Sequence, residues 1–283
     1  MIYNAKELRD IKETKLANEV GLYSTPPCLA IIQIGSNPES NKYVGNKLKA
    51  LDRVGMSYRH IHSNELLSTE DILSLIEGLN EDNSVHGIMV QLPLPKHLDT
   101  RRILDKIDPV KDVDGLSSYS LGAIALGQVK QKATHIPCTV AGVLDILKDL
   151  DVKDFRGSNI VVLGKGITSG LPLTHYLIQE GANVVNLSSR CSEEDRYKYL
   201  ENADIVISCT GVPNLIDVTK VPLGCVLVNV GMSVNEQGKL VGDYDPVLAD
   251  ELGFTCTSII NCTGIMTVQN LLNNLMDAYL MQK

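Results

Sequence analysis

Lys47 is the residue that most invites a chemical reading. In SNKYVGNKLKALDRVG (Ser40 to Gly55), helical spacing of about 100° per residue puts Lys42, Asn46, Lys49 and Arg53 along one side. Tyr43, Ala50, Leu51 and Val54 fall on the other side, and Lys47 falls with them. Burial disfavours an ammonium, so an inward lysine acquires a lowered pKa and can exchange protons near neutral pH. The same spacing also suits a lysine whose stem lies along the core rim while its amine reaches water. Two further segments carry polar groups in rigid settings. Gln91 ends an otherwise apolar strand in HGIMVQLPLPKHLD, and Pro93 and Pro95 fix the exit of the chain. The C-terminal ends of strands are where α/β sheets place ligands. IDPVKDVDGLSSYSLG gathers Asp108, Lys111, Asp112 and Asp114 around a turn, as an Asx-turn or a loose cation site would. The remaining ligands of a calcium loop are missing, so no metal is expected there.

The second half suggests a different chemistry. VVLGKGITSGLPLTHYLIQEGANVVNLSSR (161–190) runs strand, glycine turn, helix, strand. Gly164, Gly166 and Gly170 give G-x-G-x-x-x-G, one residue longer than the usual dinucleotide fingerprint. The first glycine permits the turn, the second lets a phosphate approach the backbone, and the helix N-terminus offers N–H donors to the anion. Such turns also occur with no ligand at all. An NAD enzyme commonly carries an acid at the end of the second strand to bind the ribose 2′-hydroxyl. Here the chain reads Leu187-Ser188-Ser189-Arg190, with no acid until Glu193. Hydroxyls and a guanidinium suit a 2′-phosphate, with Lys165 approaching from the first loop, so NADP is expected and NAD remains open. A solvated surface arginine is the other reading of Arg190.

The elements that must position these groups are legible from pattern. CLAIIQIG (28–35), HGIMVQLP (86–93), NIVVLGKG (159–166), ANVVNLSS (182–189), DIVISCTG (204–211) and CVLVNVG (225–231) read as strands, with another near Tyr58 to His62. Helix-like segments alternate with them, which means an α/β fold with mostly parallel sheets. Trp is absent and only two Phe occur, so the core rests on Ile, Leu and Val. A net charge of −8, with no basic run, argues against a nucleic-acid partner. Cys28, Cys138, Cys191, Cys209, Cys225, Cys256 and Cys262 form no C-x-x-C pair and read as buried thiols in a reducing compartment. The six histidines share no ligand spacing, so no metal site is expected from them either. The N-terminal stretch reads as an amphipathic helix, and no apolar run reaches membrane-spanning length. A soluble cytoplasmic protein without membrane contact is expected.

A set of motifs then points to a family. S-x-x-Y-V-x-x-K at 40–47, Q-L-P-L-P at 91–95, D-P-x-K-D-V-D-G at 108–115, P-C-T at 137–139, G-x-x-x-x-x-G-x-P at 164–172 and G-K-L-V-G-D at 238–243 occur in one order along nearly the whole chain. Together they resemble the methylenetetrahydrofolate dehydrogenase/methenyltetrahydrofolate cyclohydrolase family. The resemblance implies an N-terminal α/β folate and catalytic domain over residues 1–138, joined by the last helix (266–283). It also implies a C-terminal Rossmann-like NAD(P) domain over 139–265 and a cleft between the two. The implied activity is NADP-linked oxidation of 5,10-methylenetetrahydrofolate, then hydrolysis to 10-formyltetrahydrofolate, within the one-carbon metabolism that supports purine biosynthesis. By resemblance, Lys47 is the catalytic lysine and Tyr43 the tyrosine that packs against and orients the folate. Gln91 hydrogen-bonds the lysine, and Asp114 grips the pterin edge. Leu92, Pro93 and Gly264 are the implied further substrate contacts. Gly164, Lys165, Gly166, Ile167, Gly170, Ser189, Arg190, Thr210 and Gly211 are the implied cofactor contacts. A homodimer is implied as well.

The chain departs from the family pattern at two loops. In the nucleotide loop Lys165, Gly166 and Ser169 stand where Arg, Ser and Val are usual, which keeps charge but loses the planar fork of arginine. Residues 257–267, TSIINCTGIMT, replace a rigid T-P-V-P-G-G-V-G-P-M-T. A relative that keeps cyclohydrolase but has weak dehydrogenase activity, or a non-catalytic folate or nucleotide binder, is the alternative expectation.

Overall fold

The structure is a computed structural model that describes residues 1–129, 131, 133–235 and 237–283. In chain order the elements are β1 (Ile2–Tyr3), α1 (Lys6–Val20), β2 (Cys28–Ile34), α2 (Pro38–Val54), β3 (Ser57–Ser63), α3 (Thr69–Glu81), β4 (Gly87–Val90), α4 (Thr100–Asp105), α5 (Ser118–Ala125), α6 (Cys138–Asp149) and β5 (Asn159–Leu163). They continue as α7 (Gly170–Gln179), β6 (Asn183–Leu187), α8 (Glu193–Leu200), β7 (Ile205–Ser208), β8 (Val226–Asn229), β9 (Met232–Val234), β10 (Leu240–Gly242), α9 (Pro246–Glu251), β11 (Thr255–Thr257) and α10 (Thr263–Met281). Every stretch read from the sequence as a strand forms one. Among the described residues no helix is long and apolar enough to cross a membrane, and no cluster of His, Cys, Asp and Glu could hold a metal ion.

The chain divides into two compact units. One comprises Asp10–Cys138 and Val268–Lys283. Its sheet is three parallel strands in the order β3-β2-β4. The central strand β2 is buried along its whole length, and alternation sends its side chains to two cores. Leu29 and Ile31 pack with Met89 beneath residues of α1, α2 and α10. Ala30, Ile32 and Ile34 pack with Ile88 and Val90 beneath α3 and α4.

The other unit comprises Met1–Arg9 and Thr139–Thr267. Its six-stranded sheet has the order β1-β11-β8-β7-β5-β6, with each pairing parallel, and β9 pairs with β10 as a separate antiparallel ribbon. Residues 1–9, expected with the first domain, belong here because Ile2 and Tyr3 add an edge strand opposite Cys256 and Thr257. β5 is flanked by β6 on one side and by β7 on the other, so the chain reverses direction across the sheet at β5. Such a switch point opens a crevice at the carboxyl ends of the strands.

Candidate functional site

Helix α2 carries the lysine. Asn37 caps its start, the side-chain oxygen accepting from the Glu39 and Ser40 N–H groups at 2.9 and 3.1 Å, and Pro38 opens the first turn. Ala50, Leu51, Val44 and Val54 are buried. Lys42, Asn46 and Lys49 face water, and Arg53 pairs with Glu13. Lys47 turns from that polar side and donates from Nζ to Gln91 Oε1 at 2.8 Å. Gln91 is buried at the end of β4, and its Nε2 donates to the Leu92 carbonyl at 2.6 Å. That carbonyl can only accept, so it holds the amide with its oxygen toward the lysine.

The DPVKDVDG turn separates scaffold from site. Asp108 Oδ1 accepts from the Val110 N–H at 2.9 Å, the expected Asx-turn. Lys111 is buried and donates to the carbonyls of Leu79, Asn80 and Asp82 at 3.0, 2.7 and 3.0 Å, closing the C-terminal end of α3 with a cation. Asp112 accepts from the Leu116 and Ser117 N–H groups and the Ser120 hydroxyl. With both committed to the fold, Asp114 is left facing Lys47. Burial lowers the Lys47 pKa, opposed by the Asp114 charge. Burial raises the Asp114 carboxyl, opposed by Lys47 and reinforced by Asp112. Cys138, first residue of α6, bonds Asp114 and the Val113 carbonyl; burial and Asp114 push its thiol well above the ordinary value, so it is a packing group and not a nucleophile. Asn274 of α10 donates to the carbonyls of Val113 and Ile136 at 2.9 and 3.0 Å, pinning the backbone on either side. The arrangement can hold or release a proton at Lys47 Nζ, within reach of one carboxylate charge.

Tyr43 does not join this buried set. It is 41% exposed, with its phenol raised by partial burial and by Glu39. The apolar stripe of α2 narrows toward its first turn, so a residue at the stripe's border emerges. Cys138 and Asn274 were not singled out as site residues; P-C-T supplied the only signal for the first.

In the other unit a cavity of about 540 Å³ lies at the carboxyl ends of β5, β6 and β7, within the size range of small-molecule sites. Among the proposed cofactor contacts, Gly164, Lys165, Gly166, Ser189 and Thr210 stand in its wall, while Ile167, Gly170, Gly211 and Arg190 do not. Ser188, Cys191 and Arg196 line it as well. Asn186 Nδ2 donates to the carbonyls of Val162 and Gly164 at 3.0 and 2.8 Å and steadies the turn. Gly164 has φ +102, and a Cβ there would lie 2.7 Å from the Cys209 carbonyl oxygen. Asp243, from G-K-L-V-G-D, accepts from the Ser208 hydroxyl, the Thr210 N–H and the Thr210 hydroxyl, so Thr210 lines the cavity with both of its donors already committed to the fold.

Gly170 acts from behind the wall. A Cβ there would sit 2.2 Å from the Gly164 carbonyl oxygen, so α7 packs on the turn only because this position is glycine. Gly170→Ala is expected to destabilise this unit by about 1–3 kcal/mol and to weaken dinucleotide binding, checked by thermal unfolding with and without NADP. Gly166, whose Cβ would meet nothing within 4 Å, serves as control: Gly166→Ala leaves the unfolding midpoint of the free protein in place.

The altered loop at 257–267 keeps a defined path without its prolines. Asn261 takes the left-handed conformation at φ 57, where the family pattern has glycine, and its carbonyl accepts from Ala5 N–H at 2.8 Å. Thr263 Oγ1 donates to the Asn229 carbonyl at 2.7 Å. Gly264 follows in the first turn of α10.

Comparison with known proteins agrees with both halves. Residues 4–114 match the family model for the tetrahydrofolate dehydrogenase/cyclohydrolase catalytic domain, and residues 137–283 match that for its NAD(P)-binding domain. The chain is 36% identical over 257 residues to bifunctional protein FolD of Staphylococcus aureus (strain Newman), which covers 91% of this chain and 87% of the relative. The crystal structure of the bifunctional enzyme FolD, methylenetetrahydrofolate dehydrogenase/cyclohydrolase, from Campylobacter jejuni superposes with a TM-score of 0.93 at 32% identity, covering 100% of this chain and 99% of that one. The Trypanosoma brucei enzyme, complexed with NADP cofactor and inhibitor, gives 0.90 at 28% identity, covering 99% and 97%. This chain belongs to the tetrahydrofolate dehydrogenase/cyclohydrolase family.

Proposed function

We propose that the protein oxidises 5,10-methylenetetrahydrofolate with NADP and hydrolyses the methenyl product to 10-formyltetrahydrofolate. The observation that carries this reading is the Lys47–Gln91 pair beside Asp114: a buried ammonium, fixed by one amide oxygen and facing one carboxylate. Pterin binding alone does not require such a group, whose burial is costly; proton transfer does.

The cavity of the second unit fits the adenosine and phosphate end of a dinucleotide. Its glycine turn lets backbone N–H groups approach a phosphate, and a guanidinium nitrogen in its wall is buried without a partner among the described residues. Gly164, Lys165, Gly166, Ser189 and Thr210 would hold the cofactor. When bound, its nicotinamide supplies the acceptor for the hydride that leaves the methylene carbon. In the first unit Asp114 takes the pterin's donor edge, each charge-assisted bond stronger than a neutral one. Tyr43, exposed on α2, offers its ring to the folate, and Leu92 and Pro93 form the floor beside Gln91. Lys47 then serves the hydrolysis: with its pKa lowered, Nζ takes a proton from the water that adds to the methenyl carbon and returns it as the ring opens.

We place the protein in the cytoplasm, supported by seven free thiols, and as a homodimer on the family resemblance. The test is an absorbance assay for the methenyl product with NADP and with NAD, coupled to hydrolysis of supplied methenyltetrahydrofolate. Product with NADP and loss of supplied methenyl compound are expected. Hydrolysis without hydride transfer would leave a cyclohydrolase alone, and neither activity would end the reading.

A further inference from the structure

The arginine expected from the sequence to bind the extra phosphate of NADP is Arg190. It is exposed and outside the cavity wall. Arg196, in α8, is in the wall together with Ser188 and Ser189. Its Nε is buried and has no hydrogen-bond partner among the described residues. A buried guanidinium N–H left unmatched is costly, so its presence in a cavity wall points to an acceptor that arrives from outside.

The neighbouring acids do not neutralise it. Glu193 pairs with Lys220 at 3.1 Å, and Glu194 pairs with Lys198 at 2.9 Å. Asp195 bonds the Ser192 hydroxyl at 2.8 Å and pairs with Lys198 at 3.3 Å. Three acids precede Arg196 directly in the sequence, yet each is turned to another cation or to the helix cap. The wall is therefore left with cations at Lys165 and Arg196. Lys165 stands where the family pattern has arginine, so the planar fork that grips a phosphate at two oxygens is lost there. Arg196, in the same wall, carries one.

We infer that Arg196, with Ser188 and Ser189, reads the ribose 2′-phosphate and makes the protein prefer NADP to NAD. The inference rests on the NADP-linked reading above. It replaces Arg190 as the residue that selects the cofactor.

The test uses fragments that isolate the phosphate in question. Full-length wild-type protein, Arg196→Gln, Arg196→Lys and Arg190→Gln are titrated calorimetrically with adenosine 2′,5′-bisphosphate and with AMP. Wild type is expected to bind the bisphosphate more tightly than AMP. Arg196→Gln should lose about tenfold or more of the bisphosphate affinity and keep its AMP affinity, Arg196→Lys should recover part of the loss, and Arg190→Gln should change neither ligand appreciably. An undiminished bisphosphate preference in Arg196→Gln overturns the inference, as does a loss that follows Arg190 instead. Equal loss of AMP binding also overturns it, since Arg196 would then serve the pocket's shape. A wild type that does not distinguish the two ligands overturns it outright. Hydrolysis of methenyltetrahydrofolate needs no nicotinamide and is measured on the same samples. Its absence from wild type would sink the proposed function while leaving the fragment titration intact.

Discussion

Lys47→Met abolishes hydrolysis of methenyltetrahydrofolate, by about a hundred- to ten-thousandfold in kcat, while folate affinity stays close to that of wild type. Methionine matches the length of the lysine stem and tolerates burial, so it removes the proton carrier without opening a hole. Gln91 Oε1 loses its donor, and because Gln91 is buried the unpaired acceptor is expected to cost about 1–3 kcal/mol of stability. Single-turnover hydrolysis and a folate binding isotherm separate the two effects. A variant with wild-type hydrolysis would show that the amine does no proton transfer; one that only binds folate more weakly would make the lysine a binding group. The pH profile has a definite sign. Burial holds Lys47 below the ordinary 10.5, and the neutral amine is the form that takes a proton. Hydrolysis should therefore rise with pH and level off below that value, and the inflection should be missing in Lys47→Met.

Asp114→Asn produces a second large effect, with two readouts that move together. The pterin edge exchanges a charge-assisted acceptor pair for one neutral oxygen and a donor facing a donor, which should raise KM for the folate on the order of a hundredfold. The same substitution removes the negative charge that opposes the fall of the Lys47 pKa, so the inflection in the hydrolysis profile should move to lower pH. A merely structural role for Asp114 would not move the inflection in that direction. Unchanged KM would sink its assignment to the pterin, and an upward shift would contradict the electrostatic coupling.

The catalytic half was legible where chemistry and periodicity agree. A cation on an apolar stripe and a glutamine at the end of an apolar strand are both anomalies of pattern, and the structure joins them at 2.8 Å. Asp112 and Lys111 were less legible because their residue types look functional: only the backbone carbonyls of α3 and the turn's N–H groups reveal them as scaffold. Arg196 was hidden by the opposite error. In SEEDRYKYL it reads as one more charge on a polar helix. Only the structure shows its three acidic neighbours paired elsewhere and its Nε buried without a hydrogen-bond partner among the described residues, its guanidinium lying over the Tyr197 ring at 5.6 Å. The edge strand β1 has two residues and β9, β10 and β11 have three each, too few for alternation to register. That is why the transfer of residues 1–9 to the nucleotide-binding half went unforeseen.

The last helix bears on how the molecule is made. Leu271, Leu272, Leu275 and Met276 share a core with Leu29 and Ile31 of the first sheet, and Asn274 ties down Val113 and Ile136. Residues 268–283 leave the ribosome long after residue 138, an interval on the order of ten seconds at ordinary elongation rates. Throughout it the earlier segment has one side of its sheet partly bare. Completion of the half that handles folate thus waits on synthesis of the half that handles nucleotide, and the nascent chain is a natural client for a chaperone in the meantime.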